Sequence, residues 1–155
     1  MRLRLQLTTL TFLLLSQISM ANKEPVFNPV IALFAAMSDI DHDRMKSSVT
    51  NEFILLEHGE VWTIEDLIDV VKSSAYTRTN YFSIIGINQQ ANIAWINYWN
   101  KANFDNKKNS QDVVWLESVV VVKKQGLWHL AQMHSTRLDP DKVPSGIAFI
   151  KQPND

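Results

Sequence analysis

Glu117 and His134 are the residues of this chain best placed to do chemistry. They lie in WLESVVVVKKQGLWHLAQMHST, residues 115–136, where two apolar runs flank a Lys-Gln-Gly turn and each run carries an ionisable side chain. If Gln125 and Gly126 are the central residues of a two-residue hairpin turn, Trp128 faces Lys123, Leu130 faces Val121 and His134 faces Glu117. A carboxylate beside an imidazole can act as an acid/base dyad, the carboxylate fixing the tautomer and the imidazole moving a proton. A three-residue turn would slip the register by one, turning His134 to the other face and setting Met133 opposite Glu117. The two-residue turn is the better reading, because a buried carboxylate without a partner is costly and a facing imidazole offsets most of that cost. The same pair also reads as a structural cross-strand contact without chemistry.

The other candidates are aromatic or acidic. The chain carries five tryptophans, Trp62, Trp95, Trp99, Trp115 and Trp128. Trp95, Asn97 and Trp99 alternate onto one face of a strand, with Ala94, Ile96 and Tyr98 on the other. The first face offers an aromatic wall with one polar group to a flat apolar ligand. Large aromatics serve as readily as core, and Trp99, near the strand end, is expected to be the most exposed. Glu57, close to Gly59 and Trp62, reads either as the mouth of a pocket or as a strand-end carboxylate near solvent.

Asp39, Asp41 and Asp43 have the spacing that opens a calcium loop, but Arg44 stands where the loop needs glycine and Thr50 where it needs glutamate. Helix capping is their better reading. His129 and His134, five apart on one strand, face opposite sides and cannot chelate one metal. Ser135 does not share a face with His134, which argues against a serine nucleophile using that base. With no cysteine and no glycine-rich phosphate loop, no metal or cofactor is expected.

These residues need elements to hold them. Asn28-Pro29 reads as a helix start, with Val30, Leu33, Phe34 and Met37 on one face. A second short helix follows the aspartates and ends near Ser47-Ser48. NEFILLEHGE is a strand with Phe53, Leu55 and Glu57 on one side, closed by His58-Gly59. In WTIEDLIDVVKSSA, Thr63 caps, Asp66 stands at the third helical position, Trp62 and Leu67 can form a hydrophobic staple, and Ile64, Leu67, Ile68, Val71 and Ala75 share a face. The period then changes to two through NYFSIIGIN, NIAWINYWN, DVVWLESVVVVK and LWHLAQMHSTR, with a polar loop over 101–111. Helices followed by strands make an α+β domain, a curved antiparallel sheet packed on one side by N-terminal helices. The other sheet face is also largely apolar and is expected to meet a second copy.

Residues 1–21 read as a signal peptide: Arg2 and Arg4 precede a short apolar run, and Ser19-Met20-Ala21 offers a cleavage site. The run is too short and too often interrupted for a membrane anchor. The expected organisation is therefore an export signal, one domain over 22–137 and an irregular, proline-bearing tail over 138–155, in a periplasmic or secreted protein. Without Arg2 and Arg4 the balance is 13 basic to 16 acidic residues, which gives no electrostatic case for nucleic acid or an anionic membrane.

The acidic turn MSDIDHDRM, the strand ending LLEHGEVW, the capped helix and the closing hairpin, with Gly126-Leu127-Trp128 and His134-Ser135-Thr136, resemble the SnoaL-like branch of the nuclear transport factor 2-like superfamily, whose scaffold is cystatin-like. The resemblance covers roughly residues 28–137. It implies a cone-shaped pocket between sheet and helices, and dimerisation through the sheet. The leading expectation is an exported homodimer that binds a small apolar or aromatic molecule in a cavity lined by Trp62, Trp95, Asn97, Trp115, Glu117 and His134. One alternative is a cofactor-independent isomerase, dehydratase or cyclase, in which His134 abstracts a proton, Glu117 orients it and Asn97 or a tryptophan N–H steadies the developing oxyanion. The other is an association module without a ligand.

Overall fold

The computed structural model describes residues 25–152, so the expected signal peptide, residues 1–21, lies outside the described residues. Helix α1 (Asn28–Asp39) follows a short 3-10 turn. The cap falls on Phe27, one residue earlier than the sequence suggests, with no side-chain cap bond, and Pro29 sits in the first turn. Asp41 caps α2 (His42–Ser47), its carboxylate accepting from the Arg44 amide at 3.0 Å. The expected capping role of the aspartates is thus met at Asp41, while Asp39 pairs with Arg44 at 2.9 Å.

Strand β1 (Val49–Glu57) turns back through His58 and Gly59, both at positive φ, into β2 (Glu60–Trp62). Helix α3 (Ile64–Val70) opens with a complete capping box: the Asp66 amide donates to the Thr63 hydroxyl and the Thr63 amide to the Asp66 carboxylate. It stops at Val70, short of the Ala75 that the periodicity allows. Two adjacent β-branched valines and a Lys-Ser-Ser run give weak helical support there.

Four long strands follow: β3 (Thr77–Gln90), β4 (Ile93–Asp105), β5 (Ser110–Lys124) and β6 (Leu127–Arg137). The polar stretch 101–111 is mostly strand, with only residues 106–109 left as a turn. The tail is not wholly irregular either, for β7 (Ile150–Lys151) returns to pair with Tyr81 and Phe82 of β3. The sheet order is β2-β1-β6-β5-β4-β3-β7, antiparallel except for the parallel pair β1 and β6. Among the described residues no helix is long and apolar enough to cross a membrane.

The helices cover one face of this curved sheet. Leu33 and Phe34 of α1, Met45 of α2 and Leu67 of α3 are buried against Phe53, Leu55, Phe82, Ile96, Tyr98, Val119, Val121, Leu130 and Met133. At the centre, Phe27, Phe82 and Tyr98 meet edge to face at 5.1–5.8 Å, an arrangement that aligns ring edges with ring faces. Truncating a fully buried leucine such as Leu33 to alanine in a core like this costs about 2–5 kcal/mol.

Candidate functional site

The hairpin turn is the expected one: Gln125 and Gly126 both take positive φ, as a two-residue turn of primed type requires. Lys123 therefore faces Trp128 and Val121 faces Leu130. Beyond that point the pairing jumps, with Val120 facing Gln132, because Ala131 is an extra residue bulged out of β6. A slip of one exchanges the faces of everything downstream. Glu117 consequently faces Ser135, and His134 faces Ser118 on the exposed side of the sheet. The Glu117–His134 dyad expected from sequence is not formed.

Glu117 points into the cone and is 4% exposed. Its Oε1 accepts from Asn100 Nδ2 at 3.2 Å and from Ser135 Oγ at 3.0 Å. Its Oε2 has no partner, and neither has Asn100 Oδ1. The amide orientation of Asn100 follows from charge, since only its NH2 group can face a carboxylate without repulsion; Oδ1 is thereby left as a free acceptor. The buried Tyr98 hydroxyl lies close enough to Glu117 to couple with it, yet it has no partner at hydrogen-bonding geometry. Burial raises the Glu117 pKa, opposed by Tyr98, Asn100, Ser135 and the more distant Arg78 charge.

Arg78 balances the acids from β3. Its guanidinium is enclosed, lies over the Phe34 and Phe104 rings at 5.2 and 5.6 Å, and donates from Nε to Asn80 Oδ1 at 2.8 Å. Asn80 in turn donates to the Phe34 carbonyl and the Ser38 hydroxyl, tying this arm of the sheet to α1. Burial lowers the Arg78 pKa to about 10, against the pull of Glu117 and Glu57, so the group stays charged at neutral pH.

Glu117, Asn100 and Ser135, with Glu57, form the polar side of a cavity of about 80 Å³ whose apolar side is chiefly Leu55, Leu67, Trp115 and Met133. The sequence-derived candidates divide between the faces. Glu57, at the end of β1 with 20% side-chain exposure, and Trp115 both border the cone. Trp95 and Asn97 do not: β4 alternates as the sequence suggests, but Ala94, Ile96 and Tyr98 point inward, leaving Trp95 at 42% exposure on the outer face. Trp99 shares that outer face and is half-buried, so Trp95 rather than Trp99 is the more exposed. Trp62 packs at the edge of the core, donating its indole N–H to Glu60 at 2.7 Å, and borders a surface hollow outside the cone.

His134 and Asn97 line an open hollow of about 370 Å³ on the outer face with Ile85, Leu116, Ser118 and Thr136; Glu117 of β5 borders it too, but its carboxylate is bonded inside the cone. Base, orienting acid and oxyanion donor of the isomerase scheme therefore stand on two faces of the sheet. The volume also decides against the flat aromatic ligand. A cavity of about 80 Å³ falls well short of the about 300 Å³ or more that drug-sized ligands occupy.

Asn100, Ser135, Tyr98 and Arg78 were not among the sequence candidates. Asn100 and Tyr98 had a faint signal, as inward members of the β4 alternation once its sense is known. Arg78 had none, since a lone basic residue at a strand start looks solvated.

No family model matches the sequence, and no curated protein matches it. Solved structures match its shape. A ketosteroid isomerase-like protein from Erwinia carotovora atroseptica superposes with a TM-score of 0.60 at 19% identity, over 77% of this chain and 99% of that one. An NTF2-like protein from Cytophaga hutchinsonii gives 0.62 at 13% identity, over 76% and 98%. The association domain of C. elegans CaMKII gives 0.61 at 19% identity, over 75% and 95%. The chain has the nuclear transport factor 2-like fold, the α+β cone that the sequence resemblance implied.

Proposed function

We propose that this chain is an exported binding protein of the SnoaL-like type that holds a very small molecule in its cone and associates with a second copy through the outer face of the sheet. One observation carries the binding role: Glu117 Oε2 and Asn100 Oδ1 border the cavity, buried and unpartnered. Leaving a buried acceptor unsatisfied costs about 1–3 kcal/mol, more when it is charged, and a ligand donor removes that cost. Export is supported by the amino-terminal sequence pattern alone. Self-association is supported by Ile85, Trp95 and Leu116, which stand exposed on the outer face, and by the association domain among the structural neighbours.

A fragment screen by ligand-observed NMR tests the binding role, using water-miscible molecules of a few non-hydrogen atoms against wild type, Leu67→Phe and His134→Ala. The Phe ring fills the cone, and His134→Ala alters only the outer hollow. Hits are expected on wild type and His134→Ala and not on Leu67→Phe. Hits that persist with Leu67→Phe and vanish with His134→Ala would move the site to the outer face and end this reading.

A further inference from the structure

The charges around the cone do not cancel. Glu57 and Glu117 both line it, on β1 and β5. Among the described residues Arg78 of β3, half-buried, is the cation that couples to them, and it is already engaged with Asn80 and two aromatic rings. From β4 come the Tyr98 hydroxyl and the Asn100 amide, from β6 the Ser135 hydroxyl. The helices contribute only Leu33, Phe34, Met37 and Leu67 to the lining. His58, 3.7 Å from Glu57, is largely exposed. With both acids ionised, one negative charge is left over.

The unpartnered atoms have the same bias. Glu117 Oε2 and Asn100 Oδ1 are both acceptors, more than nine-tenths buried, on the wall of one cavity. Even if the Tyr98 hydroxyl swings onto Oε2, a carboxylate oxygen has a second lone pair to offer. A ligand that satisfies both must bring two donors, and one that also neutralises the excess charge must bring them on a cation. A second carboxylate would add to the repulsion, and a guanidinium with any substituent is large for about 80 Å³.

Building on the binding role proposed above, we infer that the ligand is a small primary ammonium ion. Its nitrogen donates to Glu117 Oε2 and Asn100 Oδ1, and its short alkyl part lies against Leu55, Leu67 and Met133. Because the ammonium selects the ionised carboxylate, and burial favours the protonated one, affinity falls as pH drops through the raised Glu117 range.

The test is thermal shift and calorimetry with n-propylammonium chloride, sodium propionate, n-propanol and potassium chloride at matched ionic strength, on wild type and Glu117→Gln. The variant keeps one acceptor oxygen for Asn100 and Ser135 and turns the charged Oε2 into a neutral NH2 donor, a change of almost no volume, so it folds. Saturable, millimolar binding is expected for propylammonium alone, weakened at least tenfold in Glu117→Gln and weakened in wild type as pH is lowered from 8 to 5. Propanol or propionate binding as tightly as the ammonium would overturn the cationic class and leave the cone a binding site. Potassium producing the same shift would make it an inorganic cation site and overturn the amine. Propylammonium binding Glu117→Gln as well as wild type would place the amine elsewhere, and no binding by any of the four would remove the binding role with the inference.

Discussion

Glu117 is held by two donors on one oxygen and by burial against its charge, and burial is the larger effect. Its folded pKa lies above the ordinary glutamate value of 4.5. A group of this sign contributes stability that is fully present below the ordinary value and lost as pH rises through the folded one. The ionised side chain is therefore a burden at neutral pH. Glu117→Gln is expected to melt higher than wild type at pH 7–8, by roughly 2–6 °C, the shift that about 1 kcal/mol makes in a domain of this size. The two curves should converge toward pH 4. Thermal unfolding followed by circular dichroism across pH 4–8 measures this, and a variant less stable than wild type at pH 7 would mean that Arg78 and the donors outweigh desolvation. The sequence marked Glu117 as an awkward residue in an apolar run, and it is buried. Its companions were hidden because each lies on a different strand.

Helix α3 shows how far a local motif can be trusted. The Thr63–Asp66 box is formed in full, since its bonds involve only neighbours in the chain. Thr63→Ala is expected to cost about 1 kcal/mol, the usual worth of a threonine cap, read as a lower denaturation midpoint in urea with an unchanged slope. The Gln125-Gly126 hairpin turn and the end of β1 at His58-Gly59 were legible for the same reason, each pair carrying its own backbone requirement; the short return strand β2 was not. The bulge was not. Ala131 is neither glycine nor asparagine and nothing in its type marks an extra residue, yet it decides which of His134 and Ser135 meets Glu117. The alternation in β4 was equally legible and equally incomplete, because it sorts Trp95 from Ile96 without saying which side the helices will cover.

For the whole molecule, the helices satisfy one face of the sheet and leave the other with Ile85, Trp95 and Leu116 at 55%, 42% and 39% exposure. Apolar groups gathered on one surface mark interaction sites in soluble proteins. Wild type is expected to sediment as a dimer at micromolar concentration, and the double substitution Trp95→Lys, Leu116→Glu as a monomer of nearly unchanged helix and strand content. A wild type that stays monomeric up to about 100 μM would end the assembly proposal. That α+β cone was legible in the change of hydrophobic period along the chain; the return of 138–152 to add β7 was not, since two paired residues leave no pattern to read.

The placement of the indoles has an optical consequence. Trp115 borders the interior cavity while Trp95 stands on the far side of the sheet, so a guest in the cone and a neighbour against the sheet would each perturb a different fluorophore. With Trp95 replaced by phenylalanine, emission would respond to the guest through Trp115; with Trp115 replaced instead, Trp95 would register the neighbour.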